Sequence, residues 1–208
     1  MVKVQAPALS LEASGSLGGA LVYSRWKGRP YVRSLVIPAN PRSAGQVSMR
    51  AMLAFLSQQW NAISAPDKAT WETRAAANDY SPFNAYVSYD QYRWRDFLAP
   101  TVRYPEAALD TPPVLGAGSA VAGVRSITVT QPITTANDGW GVMFFRSPTG
   151  TFTSTWDLLK KIVAIAGTAD CVFVDSPLDP GTYHYEMRSI TEDGQLSAPT
   201  AEVNATVV

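Results

Sequence analysis

The sequence predicts an α+β chain of two modules: an N-terminal β-hairpin arm with a small three-helix unit, then a C-terminal all-β sandwich. Three observations predict it. Apolar residues recur at helical spacing over residues 42–98, whereas residues 114–208 alternate with period two between turn signals. Charge also divides: residues 1–108 hold three Lys and nine Arg against seven acids, a net +5, and residues 109–208 hold two Lys and three Arg against ten acids, a net −5. Such asymmetry within a chain of zero net charge points to separate modules. Between them, Pro100, Pro105, Pro112 and Pro113 crowd residues 99–113, which read as a stiff, extended linker. With 46 % hydrophobic and only 16 % charged residues, the chain can bury a core and leave a sparsely charged surface for partners.

Residues 1–41 form the arm. Leu21 to Trp26 and Pro30 to Ile37 are rich in β-branched and aromatic residues, and Lys27-Gly28 between them supplies a hairpin turn. Ser14 to Gly19 reads as a flexible loop; it lacks the Gly-Lys-Ser/Thr ending of a phosphate-cradling loop. A lone hairpin is marginal in water, so the arm needs something to pack on. Tyr23, Trp26 and Tyr31 stand among Arg25, Lys27, Arg29 and Arg33. Aromatics mixed with arginine are typical of protein interfaces and of single-strand nucleic-acid platforms alike. These seven residues, with Arg42, are the candidate partner contacts.

Residues 42–98 predict three helices. Ser43 with Gln46 reads as a capping box, and Met49, Met52, Leu53, Leu56, Trp60 and Ile63 then follow one helical face. Ser64, Pro66 and Asp67 open a second helix, and Ser81-Pro82 a third along Phe83, Val87, Trp94 and Leu98. Trp60, Trp71 and Trp94 are expected to share a small core.

Gly15 to Gly19, Trp26-Lys27-Gly28, Pro38-Ala39-Asn40-Pro41-Arg42-Ser43, Gln46 and Arg50 come in an order that resembles a family of small phage and prophage proteins. Trp60, Trp71-Glu72, Ala75 and Phe83-Asn84-Ala85-Tyr86-Val87 continue the likeness, which spans residues 14–90. The family pattern has Arg-Thr where this chain has Arg42-Ser43. The resemblance implies a bacteriophage virion structural protein and no catalytic residues. Its expected partners are other virion proteins of capsid, neck or tail and further copies of itself, as a homo-oligomer in a symmetric assembly. Its expected location is the virion, and the host cytoplasm during assembly. The Trp60 helix, Ser64-Ala65-Pro66-Asp67-Lys68, Trp71 and Glu72 are also similar to the middle of an HMG box, which would imply minor-groove DNA binding. The basic N-terminal strand with the wedge motif of that family is not recognisable, so nucleic acid is a secondary expectation.

Candidate strands of the second half are Ile127 to Thr130, Gly141 to Ser147, Lys161 to Ile165, Cys171 to Asp175, Tyr183 to Ile190 and Ala201 to Val208. Asn137-Asp138-Gly139, Pro148-Thr149-Gly150, Asp179-Pro180-Gly181 and Glu192-Asp193-Gly194 punctuate them. Leu178-Asp179-Pro180-Gly181-Thr182-Tyr183, with Asp193-Gly194-Gln195-Leu196-Ser197-Ala198-Pro199, is similar to the end of a fibronectin type III, Ig-like domain. The resemblance implies that Tyr183 is a corner tyrosine whose hydroxyl bonds back to the backbone. Trp140 or Phe144 would supply the core aromatic of the third strand. Thr151 to Lys160 departs from that family as a longer, exposed loop. Trp140, Phe152 and Trp156 are the candidates for binding a host-surface glycan, the alternative role of this half.

Catalytic chemistry has little to stand on. His184 and Cys171 are single, so a zinc site, a disulfide framework and a nucleophile–base pair are not expected. No calcium loop occurs among the acids, which fall mostly in turns. The expectation is a non-enzyme with no cofactor, no metal and no membrane span; residues 1–7 also lack the apolar stretch of a signal peptide.

Overall fold

The computed structural model describes residues 2–3, 14–26, 28–37, 40–107, 110–133 and 139–208. The chain divides into two units, Met1–Pro41 and Arg42–Val208.

The described residues of the first unit form one antiparallel sheet, order β1-β4-β3-β2, built from β1 (Val2–Lys3), β2 (Gly15–Leu17), β3 (Leu21–Trp26) and β4 (Arg29–Ser34). Gly28, at φ +75°, lies in the β3–β4 turn, where a side chain would be strained. The flexible loop expected over Ser14 to Gly19 is instead strand and turn. Gly18 and Gly19 both take positive φ, and the Ala20 N–H donates to Leu17 O at 3.1 Å, which closes β2 onto β3. The hairpin is thus widened to four strands. Among its described side chains none is buried.

The second unit opens with α1 (Ala44–Gln59), α2 (Ala65–Ala76) and α3 (Pro82–Arg95). Ser64 and Ser81 cap α2 and α3, accepting from the N–H groups of Asp67 and Asn84 at 3.3 and 3.2 Å. The capping box expected at Ser43 does not form: Ser43 holds the N-cap position without a side-chain capping bond. Trp71 and Trp94 are fully buried in one core, and Trp60 packs half-buried against it, its ring 5.3 Å from Tyr86.

Seven strands follow: β5 (Ser119–Gly123), β6 (Ser126–Gln131), β7 (Gly139–Ser147), β8 (Leu159–Ala164), β9 (Cys171–Asp175), β10 (Gly181–Thr191) and β11 (Val203–Val207). They form two antiparallel sheets, β11-β10-β7-β8 and β5-β6-β9. Ile127 and Val129 of one sheet meet Val142, Phe144, Tyr185 and Met187 of the other in a shared core. On the opposite side of the four-stranded sheet, Met143, Phe145, Leu159, Ile162 and Ile190 join Met52, Phe55, Leu56, Trp71 and Trp94 of the helices in a second core. The unit therefore has three layers, helices over four strands over three strands, and β7 is buried on both faces.

A bulge sets one exception to alternation on β7. The β7–β10 register shifts at Ile190/Thr191, where Gly141 and Gly139 are the partners. By strict alternation Trp140 would join Val142 and Phe144; it lies in the helix-side core instead, 4.8 Å from Phe55, its indole N–H donating to Gln59 Oε1 at 3.1 Å. Phe144 alone is the aromatic of this strand inside the sandwich.

The extended linker expected at 99–113 is not one over 99–107. Ala99, Thr101 and Val102 are buried. Val102 O accepts the Trp71 indole N–H at 2.8 Å, and the Val102 N–H donates to Glu192 O at 2.9 Å. Tyr104 packs on Trp71, and Arg74 lies over the Tyr104 and Tyr89 rings at 4.9 and 4.6 Å. Prolines lack the N–H groups that an extended chain would otherwise have to satisfy, so this stretch is readily buried between helices and sheet.

Ser48 on α1 ties the layers together. It accepts the Trp94 indole N–H at 2.8 Å, and its hydroxyl donates to the carbonyl of Trp156. Removing it leaves two buried polar groups without partners, which costs about 2 kcal/mol. Ser48→Ala is expected to lower the unfolding free energy from urea titration by that amount, while exposed Ser57→Ala on the same helix is neutral or slightly stabilising. Equal losses at the two sites would contradict this reading.

Candidate interaction surface

Strand pairing sorts the arm residues onto two faces. Leu17 pairs with Leu21 and Leu21 with Ser34; Tyr23 pairs with Val32 and Arg25 with Pro30. Successive side chains alternate, so Leu17, Leu21, Tyr23, Val32 and Pro30 share one face with Arg25 as its described charge. The other face holds Trp26 opposite Arg29, Ser24 opposite Tyr31 and Val22 opposite Arg33. The first face is mainly apolar, with Arg25 at one end; the other is basic and aromatic. Trp26 is 63 % exposed, and Leu17, Leu21, Arg29 and Arg33 are exposed as well.

The structure brings Trp26, Arg29, Tyr31 and Arg33 together and turns Tyr23 and Arg25 away from them. Lys27 lies outside the described residues. Arg42 begins the second unit, exposed at φ +49° and not on the sheet. Composition alone groups these residues, whereas strand alternation divides them between two faces.

The proposed glycan platform does not assemble. Trp140 is 6 % exposed. Phe152 and Trp156 are half-buried against the helix-side core. Thr151 to Lys160 is not an exposed loop: a 3-10 turn, Trp156–Leu158, leads into β8, and Ser154 donates to the buried Glu186 carboxylate at 2.5 Å. Gly45 on α1 makes room for this turn, because a β-carbon there would stand 2.9 Å from the Trp156 ring.

The titratable groups that do come together serve the fold. His184 Nδ1 and Glu202 Oε1 lie 2.7 Å apart, and the hydrogen bond from His184 holds the Glu202 carboxyl below its ordinary range. Asp175 accepts from Arg146 at 2.9 Å and from the Tyr185 hydroxyl at 3.0 Å. Cys171 is a free thiol buried against the sandwich core, its pKa pushed up to about 11 by burial. The Tyr183 hydroxyl donates to Asp179 O at 3.1 Å, a bond back to the backbone four residues upstream. A groove of about 380 Å³ runs along α3 beside Tyr80, Asn84, Gln91, Tyr92 and Arg95, with Tyr80 and Tyr92 exposed. Among the described residues, no helix is long and apolar enough to cross a membrane, and no group of three or more His, Cys, Asp or Glu is placed to hold a metal.

No family model matches the chain, and no curated protein matches it. Among solved structures it is similar to a β-1,2-glucanase from Parabacteroides distasonis, at TM-score 0.36 and 15 % identity over 47 % of this chain and 14 % of that one. A likeness of that depth speaks for neither a shared reaction nor a shared fold.

One buried acid sets a pH dependence. Asp90 on α3 is wholly buried; Oδ1 accepts the Thr101 N–H at 3.0 Å and Oδ2 has no partner. Burial holds its carboxyl well above the ordinary range. The folded state therefore keeps a proton that the unfolded chain releases, and stability falls as pH rises above the unfolded value of about 3.9 towards the folded one. Asp90→Asn has the same size and no charge to release. Its urea midpoint relative to the native chain is expected to rise with pH above the unfolded carboxyl value of about 3.9. Parallel curves would show that Asp90 ionises alike in both states.

Proposed function

We propose that the chain is a non-enzymatic structural protein of a bacteriophage virion. The arm sheet docks on a capsid, neck or tail protein, and the fibronectin type III-like half faces outward as a decoration. The observation that carries the docking reading is the arm itself: a single-layer sheet with an apolar face, a basic aromatic face and no buried described side chain. A sheet needs a packed face to be stable, so such a unit is built to be covered by a partner. Symmetric repetition then makes many modest contacts strong.

Strand order supports the fibronectin type III-like reading of the β-half. Three strands, β5-β6-β9, face four, β11-β10-β7-β8, and the Tyr183 hydroxyl bonds back to the backbone. The helix layer on the outside of the four-stranded sheet is an addition to that domain type. A glycan-binding role keeps none of its three named aromatics on an open surface.

A second reading is favoured by the clustering of Trp26, Tyr31, Arg29 and Arg33 on one face: single-stranded nucleic acid stacked on the rings and neutralised by the arginines. It requires an affinity for oligonucleotide whose logarithm falls linearly with log salt.

The test is Trp26→Ala with Arg29→Ala in the source phage. Quantitative mass spectrometry of purified particles is expected to show copy number falling by roughly tenfold or more, as for two interface anchors. The unfolding midpoint of residues 42–208 stays unchanged. Undiminished incorporation overturns the docking face. Absence of the native chain from particles overturns the virion role, and a steep salt dependence of oligonucleotide binding would then favour the second reading.

A further inference from the structure

The outer face of the three-stranded sheet carries no charged side chain. Register places Val121, Thr128 and Val174 in one row and Ser119, Thr130 and Val172 in the next. The three valines are exposed, while the opposite parity, Ile127, Val129 and Cys171, is buried in the sandwich. A sheet face turned to water is ordinarily polar, so an open face of valine and threonine marks a contact surface. Acids stand at both ends of its edge strand, both exposed: Asp170 just before β9, and Asp179 a few residues beyond it, which lies 3.6 Å from the exposed Arg125 guanidinium.

The apolar face of the arm is its counterpart. Leu17, Leu21, Tyr23, Val32 and Pro30, with Arg25 and Ser34 at its two ends, cover a sheet whose strands β3 and β4 are six residues long, against five, six and five for β5, β6 and β9. Residues 1–41 carry five Lys and Arg and one Glu, net +4, whereas residues 109–208 carry net −5.

We propose that the apolar face of the arm sheet packs face to face on the β5-β6-β9 face of a second copy of this chain. This deepens the homo-oligomeric part of the function proposed above and rests on it, but not on the virion location. Charge selects the occupant. An arm laid on another arm brings +4 against +4, while an arm laid on the β-half of a neighbour brings +4 against −5, with Asp170 and Asp179 beside the contact. Sheets packed in this way interdigitate their side chains at about 10 Å. Each copy offers one arm and one receiving face, so the contact is head-to-tail and generates a ring where the rotation closes and a filament where it does not.

Two full-length variants test this, each altering a solvent-exposed side chain: Leu21→Lys on the arm and Val174→Lys on the receiving face. The native chain is expected to show light-scattering masses at multiples of 22.5 kDa that grow with concentration. Each variant alone is expected to remain at 22.5 kDa with an unchanged circular dichroism spectrum. Mixed in equal amounts they are expected to give one discrete species of twice that mass, because the intact arm of one meets the intact face of the other. Three results overturn the proposal: a native chain that stays monomeric at every concentration; a Val174→Lys variant that associates like the native chain, which would assign the arm to another arm; or a mixture that stays monomeric. Absence of the chain from phage particles would leave this outcome unchanged, so the two readings fail separately.

Discussion

Burial of β7 on both faces governs the second unit. Gly141-Val142-Met143-Phe144-Phe145 is a run of small and large apolar residues without alternation. A strand of that kind is stable only when both sides of its sheet are covered. The three-stranded sheet covers one side through Val142 and Phe144, and the helices cover the other through Met143 and Phe145. Helices too few to fold alone and a sandwich with one sheet otherwise bare thereby complete each other. The proline-rich stretch passes between them as packing, with Val102 holding the Trp71 indole.

The arm shows the opposite condition. Its strands pair in the order β1-β4-β3-β2, and Gly18, Gly19 and Gly28 make the tight turns, yet among the described residues of the unit no layer lies against either face. Secondary structure without a core is what a partner-dependent element looks like. The division of Leu17, Leu21, Tyr23 and Val32 from Trp26, Arg29, Tyr31 and Arg33 gives such an element two different surfaces, one apolar and one basic.

Local signals in the sequence carried most of the elements. Ser64 and Ser81, each followed by proline within two residues, marked where α2 and α3 begin, and Cys171–Asp175 was legible residue for residue. What local signals do not carry is which elements share a core. The charge split and the prolines at 100–113 pointed to two modules, but the apolar residues at both parities of β7 were the stronger signal of a layer on each side. Trp140 was misplaced because a one-residue register shift is invisible to alternation. β5 was missed because Ser119-Ala120-Val121-Ala122-Gly123 has little strand propensity and is held by pairing with β6. The arm's aromatic and basic residues are recognisable by type in the sequence, whereas their division between two faces needs the register.

We propose that residues 42–208 fold as one body through β7 and that the arm sheet depends on a partner. Hydrogen exchange of the full-length chain in rising urea, at dilute and at high concentration, tests it most directly. Amides of α1–α3 and of β7 and β10 should open together at one common free energy, and those of β3 and β4 should gain protection only as concentration rises. Separate opening of the helices and the sandwich, or arm amides equally protected in dilute solution, would contradict it.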